Sequence, residues 1–163
     1  VTGERRQESN NRARYATVEE HKSTTKSRRV DQWRAILDWR EEAVWDIIKR
    51  WRLRPHPAYY LGWSRVSCLP CIFGNPDQWA SVRELTPKLF SKILGYEHQF
   101  GRTIQQGGDI EHLADKGKSF VPDDQAMIEA ALSEELPPDY VELAKGEEWV
   151  MPMGAFKRTG GPL

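Results

Sequence analysis

The chain has 163 residues and a mass of 18.9 kDa, a length that accommodates one domain with a hydrophobic core. Its longest uncharged stretch, residues 66–76, is too short to cross a membrane, so no membrane span is expected. The net charge is zero, but residues 1–70 carry 15 Lys and Arg against 9 Asp and Glu, and residues 71–163 carry the reverse. The basic half favours an anionic partner such as a nucleotide, sulfate or nucleic acid, and two solvated faces of opposite charge are the alternative. Because no secretory leader is visible and only two cysteines occur, a reducing cytoplasm is the expected location.

The amino terminus predicts a strand end followed by an anion-binding turn. The first two residues have strand character, and Gly3 allows backbone amides to approach an anion. Arg5 and Arg6 then supply planar guanidinium groups that can hold phosphate or sulfate oxygens. Two exposed arginines in a polar loop are the alternative. A short helix is expected over residues 9–15, and the polar residues 16–29 are expected to form a loop.

The clearest predicted element is a helix over residues 39–52. Asp38 and Glu41 have the spacing of a capping box at its start. Four apolar residues then fall on one helical face: Val44, Ile47, Ile48 and Trp51. Pro55 ends the helix. Trp45 lies on the opposite face, where it can cover a second surface.

Proline and glycine signals predict further helices in the second half of the chain. The predicted ranges are 76–85, 87–98, a short helix around 112–114, 122–133 and 137–146. In the second of these, one stripe contains Phe90, Ile93, Leu94 and Glu97. Because a strand pattern is almost absent, the chain is predicted to be mainly α.

The only two cysteines, Cys68 and Cys71, form a C-x-x-C. This spacing places two thiols on one turn, where they can bind a metal, form a redox pair, ligate an iron–sulfur cluster or pack as inert thiols. Pro70 lies between them and helix signals begin only after them, which disfavours a redox couple. Ligation together with donors elsewhere is therefore favoured. The histidines at positions 56, 98 and 112 lack the spacing of a zinc site, so this chain alone is not expected to form one.

Three segments occur in an order that is typical of one protein family. Residues 1–9 have the sequence Val-Thr-Gly-Glu-Arg-Arg-Gln-Glu-Ser, and residues 33–39 have Trp-Arg-Ala-Ile-Leu-Asp-Trp followed by Val44-Trp45. Residues 56–73 contain H-P-A-Y and then G-x-x-R-x-S-C-x-x-C-I-F. The first segment resembles the G-x-R-x-x-E/Q-S pattern of phosphoadenosine phosphosulfate (PAPS) reductases and related sulfurtransferases. The second resembles their P-I-x-D-W-x-x-x-x-V-W helix entry, with Ala35 in place of proline, and the third resembles the cysteine segment of the phage and bacterial branch.

The resemblance covers about residues 1–105 and implies a fold. It is the helical, carboxy-terminal portion of an α/β PP-loop fold of the adenine nucleotide alpha-hydrolase type, with the parallel sheet largely missing. Residues 1–34 would form the strand end, anion-binding turn and polar loop, residues 35–105 the helical core with the C-x-x-C, and residues 106–163 a helical extension and tail. The phosphate-binding loop of the family lies upstream of the segment matched by Val1, so the chain is expected to be inactive without that half.

The resemblance also implies site residues. Nucleotide or anion binding falls to Gly3, Arg5, Arg6, Ser9 and Arg65. Cys68 and Cys71 would supply half of the ligands of an iron–sulfur cluster, or a persulfide-carrying pair, and two upstream cysteines would complete a cluster. No cysteine follows position 71, so thiosulfonate formation at a tail cysteine is not carried over, and no catalytic residue is assigned.

The implied function is sulfur transfer or sulfonucleotide reduction on an adenine nucleotide, which is PAPS, adenosine phosphosulfate or ATP. The expected partners are the missing amino-terminal half or a partner chain, and the nucleotide substrate. Two further partners remain open: a second copy of the chain, and a nucleic acid that accepts sulfur. No residue pattern in the sequence indicates either. A non-catalytic adaptor that retains the helical scaffold is the competing functional interpretation.

Overall fold

The computed structural model describes residues 1–66 and 68–156. Ser67 and residues 157–163, which include the end of the predicted carboxy-terminal extension, lie outside the described residues. The described residues form two compact units, residues 1–47 (unit 1) and residues 48–156 (unit 2). The prediction of a mainly α chain is confirmed, since the described residues contain six α-helices and only two short antiparallel strands.

Unit 1 contains a two-stranded ribbon. Strand β1, Val18–Glu20, pairs antiparallel with strand β2, Asp31–Trp33, so that Val18 faces Trp33. The expectation of a loop over residues 16–29 is therefore wrong at β1. The ribbon was not predictable from apolar alternation because all three β1 residues are exposed. Two short 3-10 turns, Arg6–Glu8 and Arg12–Arg14, take the place of the predicted helix over residues 9–15.

Helix α1, Glu41–Arg50, lies inside the predicted range and contains the boundary between the units. Asp38 does not cap it, because the Asp38 carboxylate accepts a hydrogen bond from Arg6 Nε at 2.6 Å. The first helical N–H, that of Glu41, instead donates to the Gln7 side chain at 2.9 Å. A side chain 34 positions away along the sequence thus satisfies the helix start.

The predicted stripe of α1 is half-buried at Val44, Ile47 and Ile48, but its fourth member is not. The buried residue of α1 is Trp45, whose indole N–H donates to the Glu41 carboxylate at 3.1 Å. Trp51, which the prediction placed in the stripe, is 68% exposed. Periodicity identified an amphipathic helix but selected the wrong tryptophan.

Unit 2 contains the remaining helices. They are α2 (Pro57–Leu61), α3 (Pro76–Leu85), α4 (Pro87–Phe100), α5 (Ile110–Lys116) and α6 (Gln125–Leu132). Helix α3 has the predicted bounds because Asn75 and Gln78 form a capping box at its start. Helix α4 runs two residues beyond its predicted end, to the left-handed cap at Gly101, whose φ is 59°.

Two predictions in unit 2 need correction. The predicted helix over residues 137–146 is absent, because this segment runs beside residues 52–54 instead. The Arg54 N–H donates to the Val141 carbonyl at 2.7 Å, and the Leu143 N–H donates to the Arg52 carbonyl at 3.0 Å. Helix α6 begins at Gln125 rather than at position 122, since Asp124 caps it by accepting from the Met127 N–H.

The core of unit 2 lies between α2, α3, α4 and α5. Its buried members are Leu61, Trp63, Trp79, Val82, Phe90, Ile110, Leu113 and Ala114. Helices α3 and α5 approach closely, because a Cβ on Gly117 would lie 2.1 Å from the Pro76 carbonyl oxygen. This core fixes both ends of the segment that carries the two cysteines.

Candidate functional site

The two cysteines lie in the connection between α2 and α3. Cys68 is exposed, Cys71 is half-buried, and both are free thiols. The Cys71 carbonyl accepts a hydrogen bond from the Gly74 N–H at 2.8 Å, which closes a turn over residues 71–74. We call this segment the thiol turn. Cys71 begins this turn, Cys68 precedes it, and a separate turn at residues 69–70 lies between the two cysteines.

The carboxyl end of the thiol turn is tightly constrained. A Cβ on Gly74 would lie 3.0 Å from the Cys71 carbonyl oxygen and 3.3 Å from both Gln78 Oε1 and Trp79 Nε1. The next residue, Asn75, is the N-cap of α3. The turn thus ends directly on a rigid helix start, and the close approach explains a glycine at position 74.

A cavity of about 200 Å³ lies beside Cys68. Three of its lining residues carry chemical function: His56, Arg65 and Cys68. Apolar side chains form the remaining wall, among them Leu61, Trp63, Leu69, Leu85, Ala131 and Leu132. The cavity therefore presents a thiol and a guanidinium group at the edge of an apolar space.

Each polar residue of this cavity has a defined state. His56 caps α2, with its Nδ1 accepting from the Ala58 N–H at 3.2 Å, and burial lowers the pKa of its imidazole. Arg65 is exposed and lies over the Phe73 ring at 6.0 Å, with no ion pair to any described residue. Cys68 makes no hydrogen bond to the described residues. The residues that line the cavity thus include a histidine with a lowered pKa, an arginine without an ion pair to the described residues, and an exposed cysteine.

The described residues do not complete a metal site around the thiols. Within residues 1–66 and 68–156, no group of three or more His, Cys, Asp or Glu side chains converges. The imidazole of His56 is used in its cap, and His98 Nε2 lies 3.5 Å from an Asp109 carboxylate oxygen. Two thiolates alone do not fit a four-ligand iron–sulfur cluster. A cluster would need further ligands from outside the described residues.

The predicted anion-binding residues Gly3, Arg5, Arg6 and Ser9, which we call the anion corner, lie in unit 1. Gly3 is exposed, and Arg5 precedes the first 3-10 turn with its Nε 3.4 Å from the Glu8 carboxylate. Ser9 Oγ accepts from the Arg12 N–H at 3.2 Å. These residues lie within seven positions of one another, and the Arg5 side chain also donates a hydrogen bond to the Gln7 side chain at 3.3 Å.

Arg6 is held more firmly than its neighbour. Its Nε donates to Asp38 at 2.6 Å, and its NH1 group donates to the carbonyls of Ala13 at 2.8 Å and Tyr15 at 2.6 Å. Three bonds tie the second 3-10 turn and the entry to α1 to one guanidinium. One nitrogen, NH2, has no partner among the described residues and remains available for an anion.

Sequence reasoning missed Arg34, the buried centre of unit 1. This side chain is only 4% exposed, and its two terminal nitrogens donate to Glu19 and to the Ala16 carbonyl at 2.6 and 2.8 Å. Its guanidinium also lies over the Tyr15 ring at 4.5 Å. Its Nε and the nearby Glu4 Oε2, 3.8 Å apart, are buried without a hydrogen-bond partner in the described part of the chain. The Thr2 hydroxyl is the main cause that lowers the pKa of Glu4.

A second, more open cavity of about 480 Å³ lies elsewhere in unit 2. Arg54, Tyr60, Tyr140 and Glu147 border it. The Arg54 guanidinium pairs with Glu147, which raises the pKa of Arg54 and lowers that of Glu147. None of the predicted site residues lines this cavity, so the chemistry suggested by the sequence falls at the thiol turn and at the anion corner.

Comparison with known proteins adds two findings. Residues 1–73 match the family model of the phosphoadenosine phosphosulfate reductase domain. An uncharacterized 37.8 kDa protein in the gpa 5′ region of Escherichia phage 186 is 32% identical over 105 residues, which are 64% of this chain and 31% of the phage protein. The chain thus spans about a third of the length of this relative. No solved structure matches this chain.

One further observation concerns membranes. Among the described residues, no helix combines the length and the apolar character that crossing a bilayer requires.

Proposed function

Because this chain belongs, through residues 1–73, to the phosphoadenosine phosphosulfate reductase family, we propose that it is part of an enzyme that acts on an adenine nucleotide in sulfur transfer or sulfonucleotide reduction. The observation that carries the proposal is the extent of the match. It begins at the arginine-rich corner and ends two residues after Cys71. The predicted anion-binding residues and both cysteines therefore fall within it.

The anion corner is proposed to contact the phosphosulfate or phosphate groups of PAPS, adenosine phosphosulfate or ATP. To bind a ligand, Arg5 would give up a 3.4 Å ion pair with Glu8 and a 3.3 Å hydrogen bond to the Gln7 side chain, and Arg6 Nη2 has no partner among the described residues. Gly3 and Ser9 would add backbone and hydroxyl contacts. Arg65, the unpaired cation beside Cys68, would draw a transferred anionic sulfur group toward the thiol.

The thiols are proposed to act in one of two ways. Cys68 and Cys71 would provide half of a cluster ligand set that polypeptide outside this chain completes. Alternatively, the Cys68 thiolate would attack the outer, sulfane sulfur of a persulfide donor, which leaves as a thiol, so that Cys68 carries a persulfide beside Cys71. The exposure of Cys68 at the edge of a cavity favours the second, since an accessible thiol can reach a substrate. The phage relative, of which this chain spans 31%, is in line with a longer functional polypeptide.

Nucleotide binding tests the first part of the proposal. On the full-length parent protein, calorimetry with each of the three nucleotides should show one that binds, and Arg5→Ala or Arg65→Ala should weaken it about tenfold or more. Arg14→Ala is the matched control, because Arg14 is an exposed arginine of unit 1 with no ion pair among the described residues. Unchanged affinity in both test variants would contradict the assignment.

The state of the thiols tests the second part. Protein prepared without oxygen is analysed for iron and for absorbance near about 400 nm, which a cluster would give. A colourless, iron-free protein excludes the cluster. Mass spectrometry after incubation with a sulfur donor then shows whether Cys68 gains about 32 Da, the mass of one sulfur atom. Cys68→Ser should abolish either signal.

An adaptor that used Trp45 as an exposed contact would need this side chain at the surface, and it is only 6% exposed. A phosphate-binding Ser-Gly-Gly-x-Asp-Ser loop in the same or a neighbouring reading frame would favour the enzyme, and its absence from both would favour the adaptor.

A further inference from the structure

We propose that Gln105 is a positioning residue for the thiol turn, held in place by the buried carboxylate of Glu97. We call the two hydrogen bonds from Gln105 to the thiol turn the tether. The tether is seen in the structure, and the proposal rests on the proposed function only for the use of the thiols. It assigns a role to a loop that lies outside the segment matched by the family model.

The first step is the contact between Gln105 and the turn. The side-chain Nε2 of Gln105 donates to the Ile72 carbonyl at 2.8 Å and to the Gly74 carbonyl at 2.7 Å. Both hydrogens of one amide group are thereby used on two carbonyls that flank a single residue, Phe73. The thiol turn is thus held by its own backbone hydrogen bond between Cys71 and Gly74 and by two hydrogen bonds from the side chain of Gln105.

The second step is the support of Gln105 by Glu97. Glu97 is 5% exposed on α4, and its two oxygens accept from the N–H groups of Ile104 at 2.7 Å and Ile110 at 2.9 Å. It forms no ion pair with a described residue, so these two backbone donors compensate its burial. One carboxylate thus fixes both ends of the loop over residues 104–110, which contains Gln105.

The loop itself is shaped to present this side chain. Gln105 pairs with Gly108 in an isolated bridge, and its carbonyl accepts from the Thr103 hydroxyl at 2.7 Å. Gly107 and Gly108 have φ values of 96° and 142°, which suit glycine. The connection therefore runs from α4 through Glu97 and the loop to the carbonyls beside Cys71.

The consequence is a difference between the two thiols. Cys71 is fixed by the tether on one side and by the N-cap of α3 on the other. Cys68 makes no hydrogen bond to the described residues and lies outside the tethered turn. The arrangement provides one held thiol and one accessible thiol, as a pair with separate roles requires.

The test measures alkylation of each thiol by iodoacetamide in the full chain, resolved by mass spectrometry. Gln105→Glu keeps the shape of the side chain but removes both N–H donors and places a charge against two carbonyls. We expect it to raise the alkylation rate of Cys71 about tenfold relative to Cys68, since two hydrogen bonds to the turn are lost. Gln105→Ala should act in the same way, and Gln105→Lys, which restores donors on a stem of similar reach, should recover part of the protection.

Controls separate positioning from general loosening. Gln106→Glu adds the same charge to an exposed neighbour in the same loop and should leave both rates unchanged. Glu97→Gln should expose Cys71 as well, but with a lower midpoint of thermal unfolding, because a buried charged acceptor is lost. Wild-type rates in Gln105→Glu, or a parallel rise at both cysteines with a lower unfolding midpoint, would overturn the proposal.

These rates are measured without nucleotide, iron or sulfur donor. A protein that binds no nucleotide and accepts no sulfur would therefore remove the proposed function while leaving this result intact. Conversely, if substitution of Gln105 left the alkylation rate of Cys71 unchanged, the positioning role of Gln105 would be rejected and the proposal of nucleotide binding would be unaffected.

Discussion

The two units of this chain are stabilised by different physical means. In unit 1 the buried residues are Leu37, Trp45 and the charged Arg34, which donates hydrogen bonds to Glu19 and to the Ala16 carbonyl. Unit 2 has a contiguous core of eight buried residues, including Trp63, Trp79 and Phe90. Apolar burial contributes about 1.5–3 kcal/mol for each large side chain, whereas a hydrogen bond contributes only about 0.5–1.5 kcal/mol net.

This difference matches the proposed roles of the two regions. A site that binds an anion needs guanidinium groups that can exchange partners, and a polar unit provides them. A pair of thiols that must stay in a fixed geometry needs a rigid support, and the core of unit 2 provides that through the start of α3. Under the proposed function, the stable core and the arginines that exchange partners for an anion would lie in different parts of the chain.

The largest expected effect is in the core of unit 2. Trp79→Ala removes a side chain that is 1% exposed and packs edge-on against Phe90 at a centroid distance of 6.4 Å. We expect it to lower the free energy of unfolding by about 3–5 kcal/mol in a urea titration. Trp51→Ala, the same change at an exposed site, should cost no more than about 0.5 kcal/mol. Equal effects of the two would show that the core is wrongly assigned.

The next effect tests whether polar contacts hold unit 1. Arg34→Met leaves Glu4 and Glu19 without their cation and removes the bond to the Ala16 carbonyl. We expect a loss of about 2 kcal/mol, moderated by the partial exposure of both carboxylates. Hydrogen exchange should accelerate at the amides of β1 and β2, whereas Arg14→Met should leave them unchanged. Unaltered exchange in Arg34→Met would contradict a polar centre.

The sequence predicted those elements whose signals are local. Helix α3 has its capping box and proline at its start, α4 has a proline at its first position, and Gly101 marks the end of α4. The ribbon of unit 1 was missed because Arg34, which organises it, bonds to residues 15 and 18 positions away. The predicted helix over residues 137–146 failed for a related reason, since its backbone pairs with residues 52–54.

The same contrast between local and distant signals applies to the candidate site. The bend at Cys68 and Cys71 follows from their spacing, because a C-x-x-C is a local feature. Gln105 lies 31 residues from Gly74, and no pattern near either position indicates their contact. The one available signal was Glu97, a charged residue in an apolar stripe, which pointed to a buried carboxylate but not to the N–H groups that it would accept from.

A smaller effect depends on pH and concerns the wall of the cavity. Burial lowers the pKa of His56 below its ordinary value of 6.5, and its unprotonated Nδ1 caps α2. Because the folded state resists protonation, this contribution to stability is complete above 6.5 and is lost as the pH falls from there through the folded pKa. The loss should reach no more than about 1 kcal/mol, the value of a helix cap.

The measurement compares urea midpoints at about pH 7.5 and about pH 5, on either side of the histidine titration. His56→Ser keeps a capping group but does not titrate, so its midpoint should change less over this range than that of the wild type. An identical pH dependence in both proteins would show that His56 is not the titrating group. Such a result would also contradict a lowered pKa for the His56 imidazole.

The smallest effect distinguishes two assignments of Asp38. As a helix cap, Asp38 would tolerate Asn, and Ala would cost about 1 kcal/mol. As the partner of Arg6 in an ion pair whose side chains are 36% and 69% exposed, it should lose at most about 0.5 kcal/mol with either substitution, and the loss should vanish at high salt. Urea titrations of Asp38→Asn and Asp38→Ala at low and high salt separate these outcomes. A selective, salt-independent loss in Asp38→Ala would restore the cap and release Arg6 from its strongest described contact. Arg6 would then keep only its hydrogen bonds to the carbonyls of Ala13 and Tyr15.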